Sequence, residues 1–299
     1  MDKREKRRRQ QKMRRLVIFL LLLAAAVGLG GFLLHGYIRE KQEEERYESL
    51  RAQMATEAVT EEETKTLPET TVPERETIPE TEEETESAAG LVFCDPVQDF
   101  TKLQEENEDI YAWILVPGTA VDYPVLQSET DNYYLDHNLD HSQGYPGCIY
   151  SNACNEQDFS DSHTVLYGHN LTRDRMFGSL HRFEDEEFFE ENRQILIYRP
   201  DCRLTYEILA AVVYSDRSIP YYYNLYTYKG IEEFWESVVA LEGEELTYIL
   251  PGVELTEEDK LLTLSTCIRH VEGYRYLIVG RLTETALYYS DFLEEETTE

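Results

Sequence analysis

Basic residues are scarce in this chain, and the few present are unevenly placed. Against 60 Asp and Glu there are 28 Lys and Arg, for a formal net charge of −32. A surface so acidic repels a phosphate backbone, which argues against nucleic acid as a partner. Cysteine is also rare: five, at Cys94, Cys148, Cys154, Cys202 and Cys267. Their spacing matches no small disulfide framework, and a chain of 299 residues buries a core without such staples. No Gly-rich phosphate loop, paired-carboxylate pattern or HExxH helix stands out. Long apolar runs are missing too, with one exception near the N-terminus.

That exception is residues 16–34, which carry no charge. At about 1.5 Å per residue they make about 28 Å of helix, enough to cross a bilayer. Before them, residues 1–15 hold nine Lys and Arg against two acids. This bias keeps residues 1–15 in the cytoplasm as a basic tail and sends everything after the span outside. The apolar run exceeds the usual signal-peptide core of about 7 to 15 residues, so residues 16–38 read as an uncleaved anchor. Small residues in "AAAVGLGG" are the one feature a peptidase would use. For an external protein, an odd cysteine count leaves at least one thiol free or paired between chains.

Residues 39–90 divide into a charged stretch of helical composition and "VTEEETKTLPETTVPERETIPETEEETES" at 59–87. The latter is almost entirely Glu, Thr, Pro and Ser and cannot bury enough apolar surface to fold. It reads as a disordered tether that holds a domain away from the membrane. Its "LPETT" resembles a wall-sorting signal but lacks the following glycine and hydrophobic tail. Residues 91–290 suit one domain, and 291–299 form an acidic tail. The domain is mainly β, with short runs such as "AWILVPG", "HTVLYGH", "QILIYR" and "KLLTLSTC" between turn residues, a pattern that favours a closed barrel. Helices are expected in "DFTKLQEENEDIYAWI" at 99–114 and in "KGIEEFWESVVALEG" at 229–243. The second has Ile231, Phe234, Trp235 and Val238 on one face and should pack outside the barrel. "DEEFFEENRQ" adds a short helical turn.

The chemistry concentrates in residues 261–282, "LLTLSTCIRHVEGYRYLIVGRL". Alternation puts Thr263, Ser265 and Cys267 on one strand face. If Thr266 pairs with Tyr276 in the hairpin, Cys267 and Arg275 face each other with Cβ atoms about 5 Å apart. A nearby guanidinium favours the nucleophilic thiolate and offers a forked donor to an oxyanion. The plain alternative is a structural cysteine beside a surface arginine, and a base decides between them. His169 ends a strand and should stand at the barrel rim. His163 starts that strand and reads as exposed at its other end, His181 falls in a charged loop, and His270 in the loop after Cys267 is a rival base. His137 and His141 have the i, i+4 spacing of a helical metal pair, but "DHNLDHSQG" lacks the HExxH glutamate and reads as a turn; a set of Cys148, Cys154, His163 and His169 can also be written as a metal site, but its spacing is not that of a standard finger. No metal or cofactor is assigned.

"TLSTC" ending in Cys267, Arg275 in "RYLIVGRL" and "YGHN" with His169 resemble the sortases, membrane-anchored cysteine transpeptidases of Gram-positive surfaces. "WILVPGTAVDYPVLQSETDNYYLDHN" at 113–138, "MFGSLHRFEDEEFF" at 176–189 and the helix at 229–243 resemble class B in particular. The resemblance implies an eight-stranded β-barrel with an N-terminal helical segment and a helix between late strands. It implies Cys267 as nucleophile, His169 as general acid and base, and Arg275 as oxyanion and substrate ligand, with Leu135, Ser265 and Thr266 lining the groove. The implied partners are secreted proteins with a C-terminal sorting motif. The implied acceptors are an amine of a peptidoglycan precursor or of a pilin. One departure concerns the residue after the cysteine: some class B members carry an acid there, and this chain has Ile268 and Arg269.

Two alternatives remain at this level. A membrane-anchored Cys-His peptidase would only hydrolyse, although papain-like chains place Cys before His, the reverse of the order here. A non-catalytic surface-binding module on an acidic stalk would not require His169, Cys267 and Arg275 together.

Overall fold

The computed structural model describes residues 3–62, 92–94 and 99–288. Most of the acidic stretch expected to be a tether, and the tail from 291, lie outside them. By its contacts the chain divides into two units, one ending at Glu48 and the other beginning at Ser49. Helix α1 (Lys3–Glu62) starts in the first. Over residues 16–34 its large apolar side chains are bare: Leu21, Val27 and Phe32 are 66%, 68% and 76% exposed. The helix is long and apolar enough to cross a membrane.

The second unit contains the last turns of α1 and all the sheet. Its elements in order are β1 (Val92–Cys94), α2 (Phe100–Glu106), β2 (Ile110–Leu115), β3 (Asp122–Gln127), β4 (Ile149–Ser151) and β5 (His163–Tyr167). After these come α3 (Glu186–Glu191), β6 (Gln194–Tyr198), β7 (Cys202–Ser215), α4 (Ile219–Tyr222), α5 (Tyr228–Val239), β8 (Tyr248–Ile249), β9 (Leu261–Cys267) and β10 (Tyr274–Tyr288). Pairing runs β2–β3–β4–β5–β9–β10–β7–β6 and returns to β2, a closed ring of eight strands. Closure removes the exposed edges that an open sheet would leave. β1 and β8 are short additions, one alongside β10 and one on β7.

Helix α2 is much shorter than the helix expected over 99–114. Asp99 caps its start through the Thr101 N–H, and Asn107 ends it with its own N–H on the Leu103 carbonyl. Asn107 also accepts from the Asp109 N–H and is held by Tyr134 and the Leu139 carbonyl. The chain is thereby turned into β2, where the apolar run 110–115 pairs with β3 and β6. Ladder pairing and burial on both sides outweigh the helical texture of the sequence.

Helix α5 is capped at its start by Thr227, whose hydroxyl accepts from Gly230 N–H, and ends at Val239, earlier than the expected 243. Ile231, Phe234, Trp235 and Val238 are all buried, packed with Leu261, Leu277 and Val279 of β9 and β10. Each such side chain contributes about 1.5 to 3 kcal/mol at most, so this face fixes the helix to the barrel wall. Because α5 covers one face and the barrel interior the other, β9 is buried from Leu261 to Thr266, and only Cys267 emerges. His163, read from the sequence as exposed, is fully buried under the same helix, its ring 4.5 Å from that of Phe234.

Candidate active site

Two registers build the site. In the antiparallel β9–β10 pair Thr266 faces Tyr276 and Cys267 faces Arg275, the register supposed above. β5 and β9 run parallel with Tyr167 beside Ser265, and Gly168 N–H continues the ladder to the Ser265 carbonyl at 3.2 Å. Two residues further along each strand stand His169 and Cys267, so both leave the sheet at the same end. Gly168 is closely packed here. A Cβ on it would lie 2.5 Å from Ile149 Cδ1 and 2.7 Å from Phe177.

These residues open into a cleft of about 210 Å³. Leu135, His169, Ser265, Thr266, Cys267 and Arg275 all line it. The sequence reading missed its floor and one wall. Tyr150 and Tyr167 stack with ring centroids 5.4 Å apart, and Tyr150 O–H donates to Asn132 Oδ1 at 3.0 Å. Burial raises both phenol pKa values, so the floor is neutral. The wall is residues 215–219 at the end of β7, an irregular stretch with no motif to announce it. It is tied across the cleft end by Tyr221 O–H donating to Asp131 and Tyr226 O–H donating to the Cys154 carbonyl.

Cys267 is free and exposed. Arg275 donates from Nη1 to the Tyr274 carbonyl at 3.0 Å, and no carboxylate pairs with it among the described residues. Its remaining donors are therefore available to a ligand. His169 Nε2 lies 2.6 Å from the Leu135 carbonyl, with the Tyr145 ring 5.0 Å from its own. A carbonyl only accepts, so Nε2 carries a proton. No hydrogen bond joins His169 to Cys267 among the described residues. Both line one cleft.

The other candidates fall away from the cleft. His270 is exposed in the loop after Cys267. His137 stacks on Tyr133 at 4.0 Å and shares its Nδ1 between the Tyr133 carbonyl and Asp136. None of Cys94, Cys148, Cys154 and Cys202 is in a disulfide among the described residues; burial pushes Cys202 up to about 11, and Cys148 points its sulfur at the His137 carbonyl. Among the described residues no group of three or more potential metal ligands converges. His181, assigned by sequence to a charged loop, instead lies in a partly buried turn against Tyr276, where it and Asn170 reach the Cys267 carbonyl.

Comparison with known proteins agrees with this architecture. The family model described as Sortase domain matches residues 114–283. Sortase B of Listeria monocytogenes is 29% identical over 183 residues, 60% of this chain and 72% of the relative. Sortase B of Staphylococcus aureus is 26% identical over 168 residues, 56% of this chain and 67% of the relative. Among solved structures, sortase B of Clostridium perfringens superposes with a TM-score of 0.54 at 28% identity, covering 62% of this chain and 100% of that one. A Staphylococcus aureus sortase B–substrate complex superposes with a TM-score of 0.60 at 21% identity, covering 83% and 99%, a likeness of fold.

Proposed function

The chain belongs to the sortase family, and from that premise we propose that Cys267, His169 and Arg275 are its catalytic residues. It is a sortase B-like cysteine transpeptidase. The finer reading is that it cuts the C-terminal sorting motif of secreted proteins and joins the new C-terminus to an amine. The observation that carries this assignment is the pair of registers that bring His169 and Arg275 to either side of Cys267 in one cleft.

The Cys267 thiolate attacks the scissile carbonyl carbon, and the oxyanion that forms meets the guanidinium donors of Arg275 that the Tyr274 carbonyl does not take. Collapse breaks the C–N bond. The departing amine takes a proton from His169, whose Nε2 already carries one at the cleft mouth, and a thioester remains on Cys267. An acceptor amine then attacks the thioester, gives a proton to His169 and releases the thiolate. Leu135, Ser265 and Thr266 contact the motif along the groove. The acceptor is an amine of a peptidoglycan precursor or of a pilin subunit; a Streptococcus pyogenes class B sortase involved in pilus biogenesis shares the fold at 23% identity. α1 anchors the chain with residues 1–15 in the cytoplasm and the barrel outside.

The test offers full-length protein in detergent a panel of NPxTN-like and LPxTG-like peptides, each with several amines. Expected are a thioester adduct on Cys267 by mass spectrometry and an amide product that grows with amine concentration. Hydrolysis alone at every amine concentration would make the protein a peptidase. An adduct on another residue, or none with any peptide, would remove the catalytic assignment.

A further inference from the structure

We propose that Asn170, His181 and Glu184 form a clamp that holds the backbone carbonyl of Cys267 and so positions the nucleophile. The inference rests on the reading of Cys267 as that nucleophile. Its three members are positioning residues, since none touches the reacting atoms.

The need for a clamp follows from where Cys267 sits. The ladder between β9 and β10 ends at the pair Cys267–Arg275, and residues 268–273 form an exposed loop with His270 at φ 60° and Gly273 at φ 79°. A side chain at such a strand end inherits whatever freedom the loop has. Three polar groups oppose that freedom. Asn170 Nδ2 donates to the Cys267 carbonyl at 2.9 Å. His181 Nε2 lies 2.8 Å from Asn170 Nδ2 and 3.0 Å from the same carbonyl, and His181 Nδ1 lies 2.5 Å from Glu184 Oε1.

A carboxylate accepts, so His181 Nδ1 carries a hydrogen toward Glu184. The Asn170 amide donates to the Cys267 carbonyl. His181 Nε2 is within hydrogen-bond reach of both groups: as the neutral ring it accepts from the amide, and as the protonated ring it donates to the carbonyl. Glu184 thus orients His181, His181 orients the Asn170 amide, and the amide holds Cys267. The ring is held on its face as well, stacked on Tyr276 at 5.1 Å and 19°, and Tyr276 pairs with Thr266, the residue before the cysteine. Asn170 also follows His169, whose carbonyl accepts from Phe177 N–H at 3.0 Å. One amide therefore ties the turn that carries the proposed acid and base to the strand end that carries the thiol.

The test measures turnover of the better-cleaved of an NPxTN-like and an LPxTG-like quenched peptide by full-length protein in detergent. His181→Phe keeps the stack on Tyr276 and removes both ring hydrogen bonds. A nucleophile misplaced by a fraction of an ångström predicts a kcat loss of about 10- to 100-fold with KM changed less than about twofold. The thermal midpoint should not move. His181→Gln, which restores an acceptor for Asn170 and a donor for Glu184, should recover most of the rate. Asn170→Asp, which sets a carboxylate against the Cys267 carbonyl, should lose at least as much as His181→Phe. The clamp is refuted if kcat of His181→Phe stays within about twofold, if the Phe and Gln variants lose equally, or if the loss is all in KM. Cys267→Ala separates the two readings: residual turnover there overturns the nucleophile itself, whereas a dead Cys267→Ala beside a fully active His181→Phe overturns only the clamp.

Discussion

The parallel strands β5 and β9 carry a histidine and a side-chain nucleophile type at each end, and the two ends have opposite fates. At the start, His163 Nε2 meets Thr263 Oγ1 at 2.8 Å, fully buried beneath Phe234. Burial alone pushes that imidazole down to about 3. At the exit, His169 and Cys267 share an open cleft. Strand, spacing and residue class are nearly the same, so what differs is the cover. α5 lies over one end and leaves the other bare. A histidine's chemistry here is set less by its sequence neighbours than by which element packs above it.

Exchanging the two histidines for alanine should break this comparison most sharply. His169→Ala is expected to lower kcat by about 10²- to 10⁴-fold, the usual worth of a positioned acid and base, while leaving the denaturation midpoint in place. His163→Ala should do the reverse. It leaves Thr263 Oγ1 unpaired beside a new hole, at a cost of about 2 to 4 kcal/mol of stability, with kcat per folded molecule unchanged. Peptide turnover and denaturant unfolding on both variants measure the contrast. A catalytic defect in folded His163→Ala would end it.

Most of the exit end was legible in the sequence because strand alternation is strictly local. Period two puts Cys267 opposite Arg275 once Thr266 is supposed to pair with Tyr276, the register found, and the position of His169 follows from a strand that ends at Tyr167. The barrel and the buried face of α5 were legible for the same reason. The covering of His163 was not, because it depends on a helix some seventy residues later reaching the start of β5. The clamp was hidden too. "MFGSLHRFEDEEFF" was recognisable as a block, yet nothing in its spacing says that His181 meets a carbonyl 86 residues away. The helix drawn over 99–114 failed where a side-chain turn at Asn107 met a run that pairs as strand.

Uncovering the buried end should make it resemble the open one. Phe234 packs against the rings of His163, Tyr214 and Tyr223. Phe234→Ala should cost about 3 to 5 kcal/mol of stability in denaturant unfolding, because the side chain is fully buried and α5 has few ways to collapse. In the fraction that stays folded, water reaches His163, and its ring resonances should titrate at higher pH than in the unchanged protein. A ring that still does not titrate would show that the barrel wall, not α5, keeps it neutral.

The smallest effect per step is a pH dependence, and its sign can be worked out. His163 has an ordinary value of 6.5 when unfolded and about 3 when folded. Between these values the unfolded chain binds a proton that the folded chain refuses. Stability is therefore fully present above about pH 6.5 and declines as pH falls, by about 1.4 kcal/mol per unit, until near 3. Carboxylates held low by partners, such as Asp136 beside Gln143 and His137, add a decline of the same direction at lower pH. Every other ionisable group is common to both proteins, so the useful quantity is the difference between the unchanged chain and His163→Gln, which keeps a polar group for Thr263 and cannot charge. That difference in unfolding free energy should shrink steadily from pH 6.5 to 5. A constant difference over that range would mean that His163 accepts a proton while buried, and the contrast between the two ends of β5 would lose its electrostatic basis.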